Sequence, residues 1–585
     1  MKIKTSWDFR LLYKSDNDPQ LEKDLKHIEK TYLTFEKKYK NKLFTKTPKA
    51  LVKALKDFEK LHKDVGGSKP WWYFALKTSL NTSDNKSGAM ATKNQQRLQE
   101  AANKTKFFVL EIGRISLQSQ KKFLKHESLL PYQYLLENIF RRAKFTLSEE
   151  EEQLSSLLSQ TSYNMWIDTQ QRLLNEQLVK QKGKEIPIVQ VITGLVDLPK
   201  KERRKMHIRV NEAFKSISAM AEGEINAVYN YKKMMDKRRR YEKPYSATII
   251  GYENDEKAIE NFVALVSKYF KVSHRFYKLH ARLLGDKKIT LADRGAKIGQ
   301  IKKKFDFETA VSILRSVLGK VDREYVKIFD EFLKNGQIDV RPRKGKKGGA
   351  FCWGMGQLPT FVLLNHIDDV RSLETLAHEM GHAIHTELSK RQPERYQGYS
   401  TATAEVASTF FEQLVSNELE QHLSEKEKII LFHNRLLGDI STIFRQIACF
   451  NFELELHNRI REDGQVSKDD IAELLVKHLK SYVGPAVEVT HDDGYFFVYW
   501  SHIRRFFYVY SYAYGQLISK ALYERWKVDP TYAKKIKQFL LAGRSMSPED
   551  IFKMIGIDTS KPSFFEAGLK SIEKDIERLD KLTRK

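Results

Sequence analysis

Residues 373–385 read LETLAHEMGHAIH, and the five residues His378-Glu379-Met380-Gly381-His382 fit the pattern H-E-x-x-H. Histidines at i and i+4 project from one face of a helix about one turn apart, the separation at which two imidazoles can hold the same metal ion. Glu379 lies ~100° around the helix from His378, so its carboxylate flanks the pair and can reach a metal-bound water without being a ligand. The surrounding RSLETLAHEMGHAIHTELSKR has the apolar repeat of one continuous helix, the context the motif requires. Chance is a weak competitor. With 16 histidines in 585 residues, about 0.03 such pairs with Glu after the first His are expected at random.

Catalytic zinc takes three protein ligands and leaves a position for water. The extended pattern with a third histidine on the same segment is absent, since position 388 is Leu. After the loop RQPERYQGYS, helical periodicity resumes in TATAEVASTFFEQLVSNELEQHL. Glu405 falls in its first turns among the small residues AEVAS, 23 residues beyond His382. Two antiparallel helices joined by that loop would bring it opposite the histidine pair. His385 returns to nearly the same face one turn farther on and is expected to pack behind the ligands. The two cysteines, Cys352 and Cys449, are too few for a disulfide framework or a Cys-rich zinc site.

The rest of the chain is mainly α. Apolar residues at i, i+3, i+4 and i+7 recur in LVKALKDFEKLHKDV, in EEEQLSSLLSQTSYNMWIDTQQRLLNEQLVKQK, in FETAVSILRSVLGKVDREYVKIFDEFLKNG and in AKKIKQFLLAGR. The exception is GGAFCWGMGQLPTFVLLNHI (348–367), where β-branched and aromatic residues between glycines predict a small sheet immediately before the H-E-x-x-H helix. Such a strand would edge a cleft and pair with an extended substrate backbone. The stretch 183–204 is the best candidate for a seam, giving an N-terminal helical lobe over 1–195 and a catalytic lobe over 196–585.

No run approaches the roughly 20 apolar residues that span a bilayer. The first residues lack the apolar core and cleavage site of a secretory signal, so a cytoplasmic location is expected. The formal net charge of +27 could suggest a nucleic-acid partner. Its lysines, however, are interleaved with Glu as on solvated helix faces, and neither dense run, DKRRRYEK (236–243) or RPRKGKKGG (341–349), accompanies a nucleic-acid motif. Neither nucleic acid nor membrane is expected as a partner. Basic residues lining a substrate channel would favour acidic peptides.

Taken together, HEMGHAIH, YSTATAEVASTFFEQL and SHIRRFFYVYSYAYGQL resemble the oligoendopeptidase F group of zinc metallopeptidases, relatives of thimet oligopeptidase. A weaker similarity runs from WDFRLLY near the start through GKKGGAFCWG and FVLLN, so it covers most of the chain. The resemblance implies a two-lobed helical ellipsoid with a deep substrate channel, one zinc ion at its floor, and cleavage of short peptides. Carried over by position, it implies that His378, His382 and Glu405 bind zinc and that Glu379 is the general base activating the zinc-bound water. It also implies that His502, Tyr508 and Tyr512 contact the carbonyl oxygen of the cut bond. This chain departs from the commoner wording in having Arg504-Arg505 between His502 and the tyrosines. Tyr508 and Tyr512, at i and i+4, share a helical face, whereas one continuous helix would turn His502 ~120° away. A loop or helix start is therefore expected near His502, and Tyr510 and Tyr514 are expected to pack. The alternative is a catalytically inactive peptide-binding protein on the same fold, against which the intact His, Glu, His and Glu set argues.

Overall fold

The helical periodicity becomes helices nearly everywhere it was read. A computed structural model describes residues 3–181 and 183–584. Residues 51–64 fall in the helix Pro48–Asp64, whose N-cap Thr47 accepts from Ala50 N and whose C-cap is Val65. The stretch 307–336 divides into Phe307–Val321 and Arg323–Asn335, because Asp322 turns extended (φ −158°) and caps the second helix. One expected helix ends early. Beyond Glu149–Ser159 and Met165–Asn175, residues Leu178–Gln181 form a strand antiparallel to Lys184–Pro187. The apolar spacing at 178–179 fits either period, and a strand this short is not separable from a helix end by periodicity.

The chain groups into two compact units: Met1–Lys144 with Lys303–Gln421 and Leu522–Gly556, and Phe145–Lys302 with His422–Ala521 and Ile557–Lys585. Each unit is assembled from three separate stretches of the chain. A seam read from composition follows residue order, whereas helix packing joins stretches far apart along the chain.

In the first unit a small sheet comprises β1 (Ile338–Asp339), β2 (Phe351–Trp353) and β3 (Phe361–Leu363), in the order β1-β3-β2. β3 pairs parallel with β1 and antiparallel with β2, with Cys352 opposite Val362. β3 is fully buried, and the Trp7 indole donates to Val362 O at 2.8 Å, tying the start of the chain to the sheet. The expected sheet between 348 and 367 is thus present. It precedes α1 (Val370–Ser389), which is begun by Asp369 accepting from Ser372 N. α2 is Thr401–Leu419.

In the second unit α3 (Gln446–Asp463) continues a π-helical turn, Ile440–Arg445. α4 (Tyr510–Val528) begins in this unit. Between them Arg504 is anchored: it donates to both oxygens of the buried Glu224 at 2.9 and 2.7 Å and to Phe497 O and Trp500 O. A buried charge needs such a partner, and this one fixes the path of residues 497–504. The two dense basic runs are engaged by carboxylates. Arg239 pairs with Glu152 and Arg238 with Glu151, while Arg343 and Lys346 both reach Asp339.

Candidate active site

α1 buries Leu373, Leu376, Ala377, Met380, Ala383, Ile384 and Leu388 completely, which turns His378 and His382 toward α2. The approach of the two helices is set by Gly381. A Cβ built there would lie 2.7 Å from Ser408 Cα and 3.1 Å from Ala407 O, so only glycine permits the contact. The small residues read around Glu405 therefore have a packing purpose: they admit α1 and so bring the Glu405 carboxylate to the histidines. Glu405 Oε2 lies 3.6 Å from His378 Nε2 and 3.9 Å from His382 Nε2. One donor atom from each of the three residues falls within 4.8 Å of the others.

This donor set fits a zinc ion: two imidazole nitrogens and one carboxylate oxygen, at a spacing that one ion can bridge. A further residue strengthens the fit. Glu412 Oε2 lies 2.9 Å from His378 Nδ1, which holds the ring with Nε2 toward Glu405. Carboxylate support of this kind orients ligand imidazoles and raises their basicity. Burial opposes charge on His378, yet the hydrogen bond and charge of Glu412, with Glu379 and Glu405, raise its pKa to about 9. His382 is driven the other way, well below the usual histidine value, by burial and then by the His378 and His385 charges.

Glu379 is 7% exposed. Burial raises its pKa to about 7, against the lowering effect of His378, and Glu405 adds to the rise. The Cys352 backbone N–H, on β2, bonds its carboxylate. The strand before the helix thus holds the carboxyl group that flanks the histidine pair. His385 packs as expected: it is 1% exposed and stacks on Tyr399 with ring centroids 3.9 Å apart. Tyr399 in turn bonds Thr386 at 3.1 Å.

The second unit brings His502, Tyr508 and Tyr512 together. Their ring centroids are 5.5 Å (His502 to Tyr508), 6.0 Å (His502 to Tyr512) and 5.6 Å (Tyr508 to Tyr512) apart. The break expected near His502 is present, since His502 sits in the short 3-10 turn Ser501–Arg504 and α4 starts only at Tyr510. The expected shared helical face is not, because Tyr508 belongs to the turn before α4. Phe506 and Phe507 there are left-handed (φ 51° and 61°), and Phe507 N donates to the buried Glu453 at 2.9 Å. Sequence spacing could not register that backbone reversal. Burial, then the Arg445 and Arg505 charges, lower the His502 pKa to about 4, so its imidazole is neutral near pH 7. The Tyr508 hydroxyl is hydrogen-bonded to its Nδ1. With Tyr508 donating, the ring proton sits on Nε2, which then serves as a donor. Tyr510 and Tyr514 are core residues, 0% and 3% exposed.

Two residues of the first site were not read from the sequence. Glu412 carries a signal, since it follows Glu405 by seven residues and so shares its helical face. The Cys352 amide carries none, because any residue supplies one.

A helix bearing H-E-x-x-H, with a carboxylate donor from the next helix and a buried glutamate beside the pair, defines a metal-dependent hydrolytic centre on a helical scaffold. Residues 199–571 match the family model for peptidase family M3, and residues 111–174 match that for oligopeptidase F. The chain belongs to peptidase family M3 and is a metallo-oligopeptidase. It is 26% identical over 562 residues to oligopeptidase PepF of Bacillus subtilis, covering 94% of this chain and 83% of that protein. The fold is similar to a solved Chlamydophila abortus structure (TM-score 0.85, 21% identity, 99% of this chain and 98% of that one). It is also similar to oligoendopeptidase-F from Enterococcus faecium (TM-score 0.69, 19% identity, 97% and 98%). Among the described residues no helix is long and apolar enough to cross a membrane.

Proposed function

We propose that this peptidase is a zinc-dependent endopeptidase acting on short unstructured peptides in the cytoplasm, with one Zn2+ held by His378, His382 and Glu405. The observation that carries the reading is the convergence of those three donor atoms within 4.8 Å on two helices packed through Gly381. The names of the relatives, oligopeptidase and oligoendopeptidase, support peptides rather than folded proteins as substrates. Bound by His378, His382 and Glu405, zinc would supply Lewis-acid chemistry, polarising the scissile carbonyl and acidifying a water for attack at neutral pH. Glu379 takes a proton from the attacking water and returns it to the departing amine nitrogen, a transfer suited to a carboxyl group titrating near 7. His502, through Nε2, and Tyr512 donate hydrogen bonds to the carbonyl oxygen as it gains negative charge, while the Tyr508 hydroxyl donates to His502 Nδ1 and keeps the ring proton on Nε2. Glu412 keeps the His378 ring turned for ligation.

Glu379→Gln tests this assignment. The variant should retain stoichiometric zinc while cleavage of a quenched peptide of about ten residues falls by roughly 10²–10⁴. Wild-type turnover in Glu379→Gln would overturn the role of the base. Stoichiometric zinc in Glu405→Ala would overturn the ligand set. Chelator-insensitive absence of cleavage by the zinc-loaded wild type would favour a peptide-binding protein instead.

A further inference from the structure

The deeply buried arginines of the second unit are neutralised one by one. Arg203 donates twice to Asp293, at 2.9 and 2.8 Å, and Arg504 to both oxygens of Glu224, at 2.9 and 2.7 Å. Arg445 differs. Among the described residues its buried Nε has no hydrogen-bond partner, and the main groups acting on its charge are Arg294, Tyr482, Cys449 and Tyr277, with no carboxylate among them. Its surroundings are aromatic. The guanidinium carbon lies 4.9 Å from the Trp500 ring centroid and 5.7 Å from that of Phe496, and Arg294 lies 5.5 Å from the same Phe496 ring. Contacts with ring faces offset only part of the cost of holding two cations near each other.

The cluster is also one-sided in its hydrogen bonding. Among the described residues the buried Trp500 indole nitrogen has no partner, and neither has Arg445 Nε, so unused donors accumulate beside two positive charges. Both arginines keep part of their surface open to solvent. An incoming anion would satisfy the donors and neutralise the pair in one step, and a planar guanidinium suits a carboxylate. Backbone geometry points the same way. Arg445 closes the π-helical turn Ile440–Arg445, and single π turns inside helices recur at functional sites. Trp500 links the pair to His502, whose ring centroid is 6.4 Å from the indole. Arg445 is therefore no farther from His502 than about four residues of extended chain, at roughly 3.3 Å each.

We propose that Arg445 and Arg294 form a carboxylate subsite that holds the peptide substrate by an acidic group within about four residues of the bond that is cut. The inference rests on the peptidase reading, with His502 at the scissile carbonyl. The acidic group is either the peptide's own C-terminal carboxylate or the side chain of Asp or Glu.

Four quenched peptides of one core sequence separate these sources: a free C-terminal acid and its amide, each with Glu or Gln near the cut. Zinc-loaded wild type should prefer a carboxylate-bearing peptide by tenfold or more in kcat/KM, mainly through KM, and the pair that shows the preference names the source. Arg294→Gln and Arg445→Gln should shrink that ratio toward one, and Arg445→Lys should give an intermediate value because it keeps charge without the planar fork. Unfolding midpoints and bound zinc identify a misfolded variant, and the wild-type comparison stands without any variant. Equal kcat/KM for all four peptides in the wild type, or variants that slow all four equally, would overturn the subsite alone. Absence of cleavage of any of them would bring down the peptidase reading and the subsite with it.

Discussion

Glu412 sits 2.9 Å from His378 Nδ1 and, with Glu379 and Glu405, keeps the metal-free imidazole charged up to about pH 9. A metal ligand must be neutral, so zinc uptake releases that proton, and apparent affinity should fall about tenfold for each unit of pH below 9. Glu412→Ala acts in two opposed directions. It lowers the His378 pKa, which reduces proton competition, and it frees the ring, which costs roughly 10–100-fold in metal affinity. The expected result is weaker zinc binding at pH 9 with a flatter pH dependence between 7 and 9, measured by competition with a chromogenic chelator. An unchanged slope would show that Glu412 does not set the proton. In the second unit, Tyr508→Phe removes the hydroxyl bonded to His502 Nδ1 and Tyr512→Phe removes its neighbour. Loss of the Tyr512 donor to a developing oxyanion costs about 10²–10³ in kcat, loss of the Tyr508 hydroxyl releases the His502 tautomer, and zinc should be retained in both variants. The metal-side residues were legible because H-E-x-x-H encodes a local geometry. The grouping of His502 with Tyr508 was not derivable from spacing, since it depends on two left-handed phenylalanines.

Gly381 has its clearest consequence at the level of α1 and α2. A methyl group there meets backbone, Ser408 Cα at 2.7 Å and Ala407 O at 3.1 Å, as well as the Phe411 ring. Backbone cannot rotate away, so Gly381→Ala should push the helices apart and withdraw Glu405 from the histidines. We expect zinc affinity to fall at least tenfold and stability to fall by about 1–3 kcal/mol, the usual cost of overpacking. Zinc competition and thermal unfolding of the metal-free protein measure the two separately. Undiminished affinity would mean that Glu405 is not a ligand or that α2 tolerates the shift. Most elements were legible from period alone, and α1 and α2 in particular run nearly as LETLAHEMGHAIH and TATAEVASTFFEQL suggest. What period could not supply was competition between short-range options. Leu178–Gln181 became a strand paired with Lys184–Pro187 instead of a helix end, and Asp322 divided one apolar repeat into two helices.

At the scale of the whole molecule, two properties follow from opposite kinds of information. The assembly of each unit from three stretches is set by long-range packing, which leaves no mark in local composition. The charge balance, 102 basic against 75 acidic residues, is read directly from the sequence. A net charge of +27 attracts anionic peptides and repels cationic ones before any contact forms. That field is screened: its reach shrinks from about 30 Å at 0.01 M salt to about 10 Å at 0.1 M. Where capture limits kcat/KM, raising salt from 0.01 to 0.5 M should lower the value several-fold for a peptide of net charge −3 and raise it for one of +3. A neutral peptide should change little. The Arg445 subsite makes a separable contribution, because a hydrogen-bonded carboxylate is held at contact distance, where screening is weakest. The preference for a carboxylate near the cut should therefore persist at 0.5 M, when the dependence on total peptide charge has been lost. Equal salt dependence for anionic, neutral and cationic peptides would show that the +27 charge takes no part in capture.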